Sequence, residues 1–243
     1  MHSPRLYKDV LIFISKDDLW SSDISGKNPR RLTHGLGIIR NPCISPDGNY
    51  IAFSATSEGA QEIYIIPTQG GDASRLTFLG QQAQACTWKD NKHIIFSSHH
   101  DSPFRENSLY NINIDSHTIS LIKVGHASNI SYNNGDEAVI QRYGYGYTSL
   151  KRYQGGLAGQ LWIQKKQENF KLLINKKHNL IAPIWHQQRI YFLSDYQDHG
   201  NVYSCDLDGN DLQRHTHHED FYVQSFHIAQ KHMVYAKAGK LFH

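Results

Sequence analysis

The densest group of chemistry-bearing side chains in this 243-residue chain is HTHHED, residues 215–220. Its imidazoles and carboxylates (His215, His217, His218, Glu219 and Asp220) are the donor types that hold zinc and other borderline metals. Alternate residues of a strand share a face, so His215 and His217 could converge on one ion. The segment stands, however, where a strand ends and a polar connection begins, and it is read as loop structure. The shorter His99-His100-Asp101 is read the same way, and no metal site is expected. DLDGND, residues 206–211, alternates carboxylates as a calcium loop does. A calcium loop of that type needs Gly at its sixth position and Glu at its twelfth, whereas Gly209 comes fourth and the twelfth residue is His217. This segment is expected to be a turn between strands.

A catalytic constellation is not apparent: G-x-S-x-G, H-E-x-x-H and phosphate-binding loops are all lacking. No catalytic residue and no cofactor are therefore assigned. One further stretch, YGYGYTSLKRYQGGLAG, joins glycine flexibility to aromatic and cationic side chains. Lys151, Arg152, Tyr153, Gly155 and Gly156 within it are the candidates for contact with a peptide or a partner domain. The alternative is that this loop only packs over the end of the fold.

Composition bounds the function classes. The chain is 39% hydrophobic, 12% aromatic and 19% charged, which places it among globular proteins. A formal charge of +3, with its paired bases (Arg30-Arg31, Lys165-Lys166, Lys176-Lys177) scattered, speaks against nucleic acid. No apolar run approaches the roughly 20 residues that cross a bilayer, so no membrane is expected. The N-terminal apolar stretch is only VLIFI, followed at once by Lys16, Asp17 and Asp18. It is too short for a secretory segment, and a cytoplasmic location is expected. Cys43, Cys86 and Cys205 are odd in number and far apart, with no C-x-x-C, and are read as small buried thiols.

The elements that would position these residues recur. Strand, polar turn, strand ending in an apolar-aromatic pair, Gly-rich turn, short strand: this order appears in LIFISKDDLWSSDISGKNPRRLT and again in IAFSATSEGAQEIYIIPTQGGDASRLT. The landmark aromatics are Trp20, Tyr64, Tyr110, Trp162, Tyr203 and Phe242, spaced 44, 46, 52, 41 and 39 apart. A period of about 40–45 built from short strands marks a β-propeller. SPDG, residues 45–48, is read as a turn inside one blade, with Pro46 presetting φ, Asp47 bonding locally and Gly48 at positive φ. The expectation is an all-β, six-bladed β-propeller with four-stranded blades, one domain over 1–243. Phe242-His243 falls about halfway through the sixth unit, so the last blade is expected to be incomplete, without its outer strands, and the ring open.

Three stretches carry a family resemblance: DDLWSSDISG with RRLTHGLGIIRNPCISPDG, KRYQGGLAGQLWI, and GNVYSCDLDGNDLQRHTHHEDFY. Together and in collinear order they resemble the N-terminal six-bladed propeller of tricorn-type proteases, of the TolB-like Pro-Asp-Gly class. The second differs from the family's Lys-Arg-Tyr-Arg-Gly-Gly-Thr-Ala-Gly at Gln154 and Leu157, and Leu150 stands where an aromatic is usual. The resemblance implies a non-catalytic part of a cytoplasmic serine peptidase, with catalytic residues in C-terminal protease domains absent here. Peptides would be gated or guided through the propeller, and its partners would be peptides or those protease domains. It also implies oligomerisation only in the full-length context. A stand-alone TolB-like binding propeller and a truncated gene product are the alternatives.

Overall fold

The computed structural model describes residues 1–133, 135–144, 147–148, 150–166 and 168–243. Among them there is no helix. Blade 1 comprises β1 (His2–Tyr7), β2 (Val10–Ser15), β3 (Asp18–Asp23) and β4 (Arg30–Arg31). Blade 2 is β5 (Arg40–Ile44), β6 (Tyr50–Ala55), β7 (Glu62–Pro67) and β8 (Ser74–Arg75). Blade 3 is β9 (Ala83–Trp88), β10 (His93–Ser98), β11 (Ser108–Asn113) and β12 (Ile119–Leu121). Blade 4 is β13 (Asn129–Tyr132), β14 (Ala138–Arg142), β15 (Gln160–Gln164) and β16 (Lys171–Leu172). Blade 5 is β17 (Leu180–His186), β18 (Arg189–Ser194), β19 (Asn201–Asp206) and β20 (Gln213–Arg214). Blade 6 is β21 (Val223–Ala229), β22 (His232–Lys237) and β23 (Lys240–Phe242). Each sheet is an antiparallel meander in chain order.

The expected all-β, six-bladed architecture is therefore present, with four strands in five blades and three in the last. The sixth blade reaches one strand further than the sequence reading allowed, lacking only a fourth, outermost strand. Among the described residues no sheet spans the junction between the last blade and the first, which is the sense in which the ring is open. The junction is packed instead: β1 lies against β21 and β22. The N-terminal amine bonds to the Gly239 carbonyl at 2.9 Å, and the Ser3 amide to Ser225 Oγ at 3.0 Å.

The landmark aromatics fall at one place in every blade, the third residue of the third strand. Each faces a bulky residue of the second strand, and in four blades the two rings stack. These pairs are Phe53–Tyr64 at 5.8 Å, Phe96–Tyr110 at 5.5 Å, Phe192–Tyr203 at 6.3 Å and Tyr235–Phe242 at 5.0 Å. Such cross-strand aromatic pairs add to sheet stability beyond the area they bury, which is why the repeat is visible as an aromatic period. The second strands of blades 1 to 4 are buried on both faces between neighbouring blades, as in β6, where all but Tyr50 is buried.

A second recurrent device ties the short fourth strands. In blade 2 the Ile63 amide donates to Thr77 Oγ1 at 2.9 Å, and that hydroxyl donates to buried Glu62 at 2.5 Å, which also pairs with Arg75. Blade 1 repeats it with Leu19, Thr33, Asp18 and Arg31, and blade 5 with Val202, Thr216 and Asn201. Lys240 occupies the corresponding first position of the third strand in blade 6.

Candidate functional site

Six inner strands meet around an axial cavity of about 250 Å³ to which every blade contributes, from Arg5 and Leu6 on β1 to Phe226 and His227 on β21. Inner strands are irregular. In blades 1, 2 and 5 the register shifts at a left-handed residue followed by proline: Ser3-Pro4 (φ 51°), Asn41-Pro42 (φ 50°) and Ala182-Pro183 (φ 52°). Proline cannot donate to a ladder, and a bulge next to it re-aims the strand, so pairing is interrupted near one mouth of the cavity.

Arg5 is the one charged side chain among the lining residues. Its Nη1 donates to the carbonyls of Pro4 at 2.9 Å and Phe226 at 3.5 Å. His227 accepts the Leu6 amide proton on Nδ1 at 3.1 Å. Burial, and after it the Arg5 charge, pushes the His227 pKa down to about 3, so the imidazole is neutral. Cys43 and Cys86 also line the cavity, and burial pushes both thiols up to about 12, away from thiolate reactivity. All three cysteines are free, Cys43 and Cys205 buried and Cys86 half-buried.

The antiparallel meander divides the loops between two rims. On one rim lie the tight turns from first to second strand, among them SPDG. Here Ser45 Oγ donates to Asp47 at 2.6 Å, and Gly48 takes φ 78°. This rim is polar and laced with exposed ion pairs such as Lys89–Asp136 and Lys165–Asp208, each at 2.7 Å. The other rim carries the connections from second to third strand and from blade to blade. Most of the large exposed apolar side chains stand there, including Ile38, Phe78, Phe104, Leu150, Leu157 and Phe221. Phe104 and Phe78 are 82% and 71% exposed, so this surface is not covered by the fold itself.

Residues 143–159 belong to that apolar rim, between β14 and β15; Tyr145, Gly146 and Ser149 lie outside the described residues. Lys151 places Nζ 5.1 Å above the Tyr222 ring, and Arg152 points outward with Nη1 3.9 Å from Asp198. The Arg152 amide is anchored by the buried Asp195 carboxylate at 2.7 Å. Tyr153 folds over Gly155, where an added Cβ would meet its hydroxyl at 2.2 Å, while Gly156 faces open space. At the base, Gly159 packs against Gly144, and its amide is bonded to Asn179 Oδ1 at 3.2 Å. The Arg152 amide, Tyr153 over Gly155, and the Gly144–Gly159 contact thus hold the loop in shape. Of the five candidates, Lys151, Arg152, Gly155 and Gly156 are exposed and Tyr153 is half-buried.

The histidine cluster does not converge. β20 ends at Arg214; His215 Nε2 bonds to Ser204 Oγ at 2.7 Å and His218 Nε2 to Tyr235 Oη at 3.1 Å, while Asp220 pairs with Lys237. Among the described residues no group of three His, Cys, Asp or Glu side chains could hold a metal. DLDGND is a turn closed by Asp206 Oδ1 on the amides of Asp208 at 3.0 Å and Asn210 at 2.7 Å. No helix of the described residues is long and apolar enough to cross a membrane. The Arg5–His227 pair was not found from sequence: its members lie at opposite ends of the chain, on inner strands without a recurring motif.

Comparison with known proteins bears on the whole arrangement. The family model described as the tricorn protease N-terminal β-propeller domain matches residues 1–243. A tricorn protease homolog of Saccharolobus solfataricus is 33% identical over 98% of this chain, which spans 23% of that relative. A tricorn-like protease N-terminal subunit of Sulfurisphaera tokodaii, so named provisionally, is 33% identical over 68% of the chain and 87% of its own length. The crystal structure of the tricorn protease superposes with a TM-score of 0.91 at 27% identity, covering 99% of this chain and 24% of that one. A TolB-type structure from Agrobacterium tumefaciens shares the fold at 20% identity, with a TM-score of 0.69 over 88% of this chain and 79% of that one. The chain spans about a quarter of the full-length tricorn relatives it matches. Motif order, ring geometry and this end-to-end match agree: the chain belongs to the family of tricorn protease N-terminal β-propeller domains.

Proposed function

We propose that this chain is the non-catalytic propeller of a tricorn-like serine peptidase of the cytoplasm, docking onto the protease domains and guiding peptides to or from their active site. The observation that carries this reading is the collinear family match over residues 1–243, on a ring whose axis is an open cavity lined from all six blades. The apolar rim supports the docking half. Exposed aromatics beside the cationic Lys151 and Arg152 are the composition of a protein-binding surface, and Lys151, Arg152, Tyr153, Gly155 and Gly156 are assigned to that contact. A relative named as an N-terminal subunit favours the same reading, with the propeller made as a separate chain.

The test is reconstitution. The purified chain alone should not hydrolyse peptides, and it should bind the C-terminal protease part of a tricorn-like peptidase in size-exclusion or pull-down experiments. Phe78→Ser with Phe221→Ser should weaken that binding without lowering the melting temperature. Hydrolysis by the chain alone, or binding untouched by the rim substitutions, would refute the corresponding half of the proposal.

A further inference from the structure

We propose that Arg5 and His227 form a carboxylate-binding site on the wall of the axial cavity. Most polar side chains lining the cavity already have partners: Ser45 Oγ is bonded to Asp47 and the Tyr50 amide, Ser131 Oγ accepts the Trp185 amide, and Thr87 Oγ1 donates to the Trp88 carbonyl. Arg5 and His227 have donors left over. Among the described residues the guanidinium has no carboxylate partner. Among the described residues only its Nη1 is engaged, by two carbonyls, and Arg5 lines the cavity with the remaining donors of the planar fork unbonded.

The tautomer of His227 follows from its neighbour. Because Nδ1 accepts the Leu6 amide proton, the single proton of the neutral ring must sit on Nε2, which has no partner among the described residues. The cavity therefore presents a guanidinium fork and an imidazole N–H from adjoining inner strands, β1 and β21. Among the described residues no Asp or Glu lines the same space to compete. Donors without acceptors select an oxyanion. One positive charge beside a neutral imidazole matches a monoanion, and the planar fork matches a carboxylate in bidentate geometry. A ligand of that class is a peptide bearing a free carboxylate, at its C-terminus or on an Asp or Glu side chain. The peptide part of this inference rests on the guiding role proposed above; the carboxylate part does not.

The experiment uses the 243-residue chain and four probes: acetyl-Gly-Ala as the free acid, acetyl-Gly-Ala-amide, acetyl-Gly-Asp-amide and sodium acetate. Binding is followed through the Arg Nε–H resonances of nitrogen-15-labelled protein and by calorimetry. The free acid is expected to shift the Arg5 resonance and to bind at least about tenfold more tightly than the amide. Arg5→Gln should abolish that preference while leaving the melting temperature and any residual amide binding unchanged. Arg5→Lys should restore only part of it, since an ammonium lacks the fork. Preference for the aspartyl amide over the C-terminal acid would assign the site to side-chain carboxylates. Acetate alone reproducing the shift would confirm the anion site while removing the peptide from it. Equal binding of acid and amide, or an Arg5 resonance unmoved by every carboxylate, overturns the proposal. Amide binding that survives either result leaves peptide guiding intact, so the two readings fail separately.

Discussion

Single residues carry constraints that composition hides. Gly48, in the SPDG turn, sits under the Tyr7 ring of the neighbouring blade. A Cβ there would meet Tyr7 Cε1 at 2.1 Å, and φ is 78°. The same ring donates its hydroxyl to the Asp47 carbonyl at 2.8 Å. Gly48→Ala therefore adds a clash to a strained backbone and is expected to destabilise the protein by about 2–4 kcal/mol, read from urea melts. His227 carries a pH signature. Its pKa in the folded chain is depressed to about 3 by burial, Arg5 and His186, while in the unfolded chain it has the ordinary histidine value near 6.5. The unfolded state then binds the extra proton in the window between those values. The stabilising contribution of the neutral ring is thus complete above about pH 6.5 and lost progressively as pH falls toward 3. Melting at pH 7.0, 5.5 and 4.5 should show a steeper acid loss for the wild type than for His227→Gln. Parallel curves would mean that the ring can be protonated in the folded state without cost.

At the scale of elements, the aromatic period and the Pro-Asp-Gly turn made the blades readable, because both report on pairing inside one sheet. Trp20, Tyr64, Tyr110, Trp162, Tyr203 and Phe242 all hold the third place of a third strand, so one landmark per unit located every blade. The x-R-L-T endings were visible too, but their purpose was not. Thr77 acts through Glu62, 15 residues earlier, and nothing local in the sequence couples the two. Inner strands were harder still, since bulges at Ser3-Pro4, Asn41-Pro42 and Ala182-Pro183 break the alternation that marks a strand. The axial cavity and its Arg5–His227 pair stayed out of reach for that reason, whereas the Lys151–Gly156 loop stood out by composition alone. The Thr77 device has a direct test. Thr77→Val keeps the shape of the side chain but strands the Ile63 amide and a buried oxygen of Glu62. It should cost about 1–3 kcal/mol, against less than about 0.5 kcal/mol for Ser74→Ala, on the short strand just before Thr77 but outside this network.

The molecule as a whole is a ring whose blades meet through side chains, so its weakest seam is set by packing. Between blades 2 and 3 the buried cluster runs from Cys43 through Trp88 and Phe96 to Ile112. Between blades 6 and 1 the buried members are Leu6, Leu11, Phe13 and Val234, the smallest of the six clusters. Blade 6 also has the fewest strands, and β23 leaves one edge without a ladder partner among the described residues. Local opening tracks buried apolar contact and protected backbone bonds, so blade 6 should open ahead of the rest. In native-state hydrogen exchange, segments spanning 223–242 are expected to exchange at least about tenfold faster than 93–113, a difference of about 1.4 kcal/mol in opening free energy. The seam bonds from Met1 and Ser3 predict a second effect: removing residues 1–3 should speed exchange in β21 while leaving β10 and β11 unchanged. Uniform protection across all six blades, moving together on truncation, would instead mean that the ring opens only as one cooperative unit and that packing density at a seam does not set its stability.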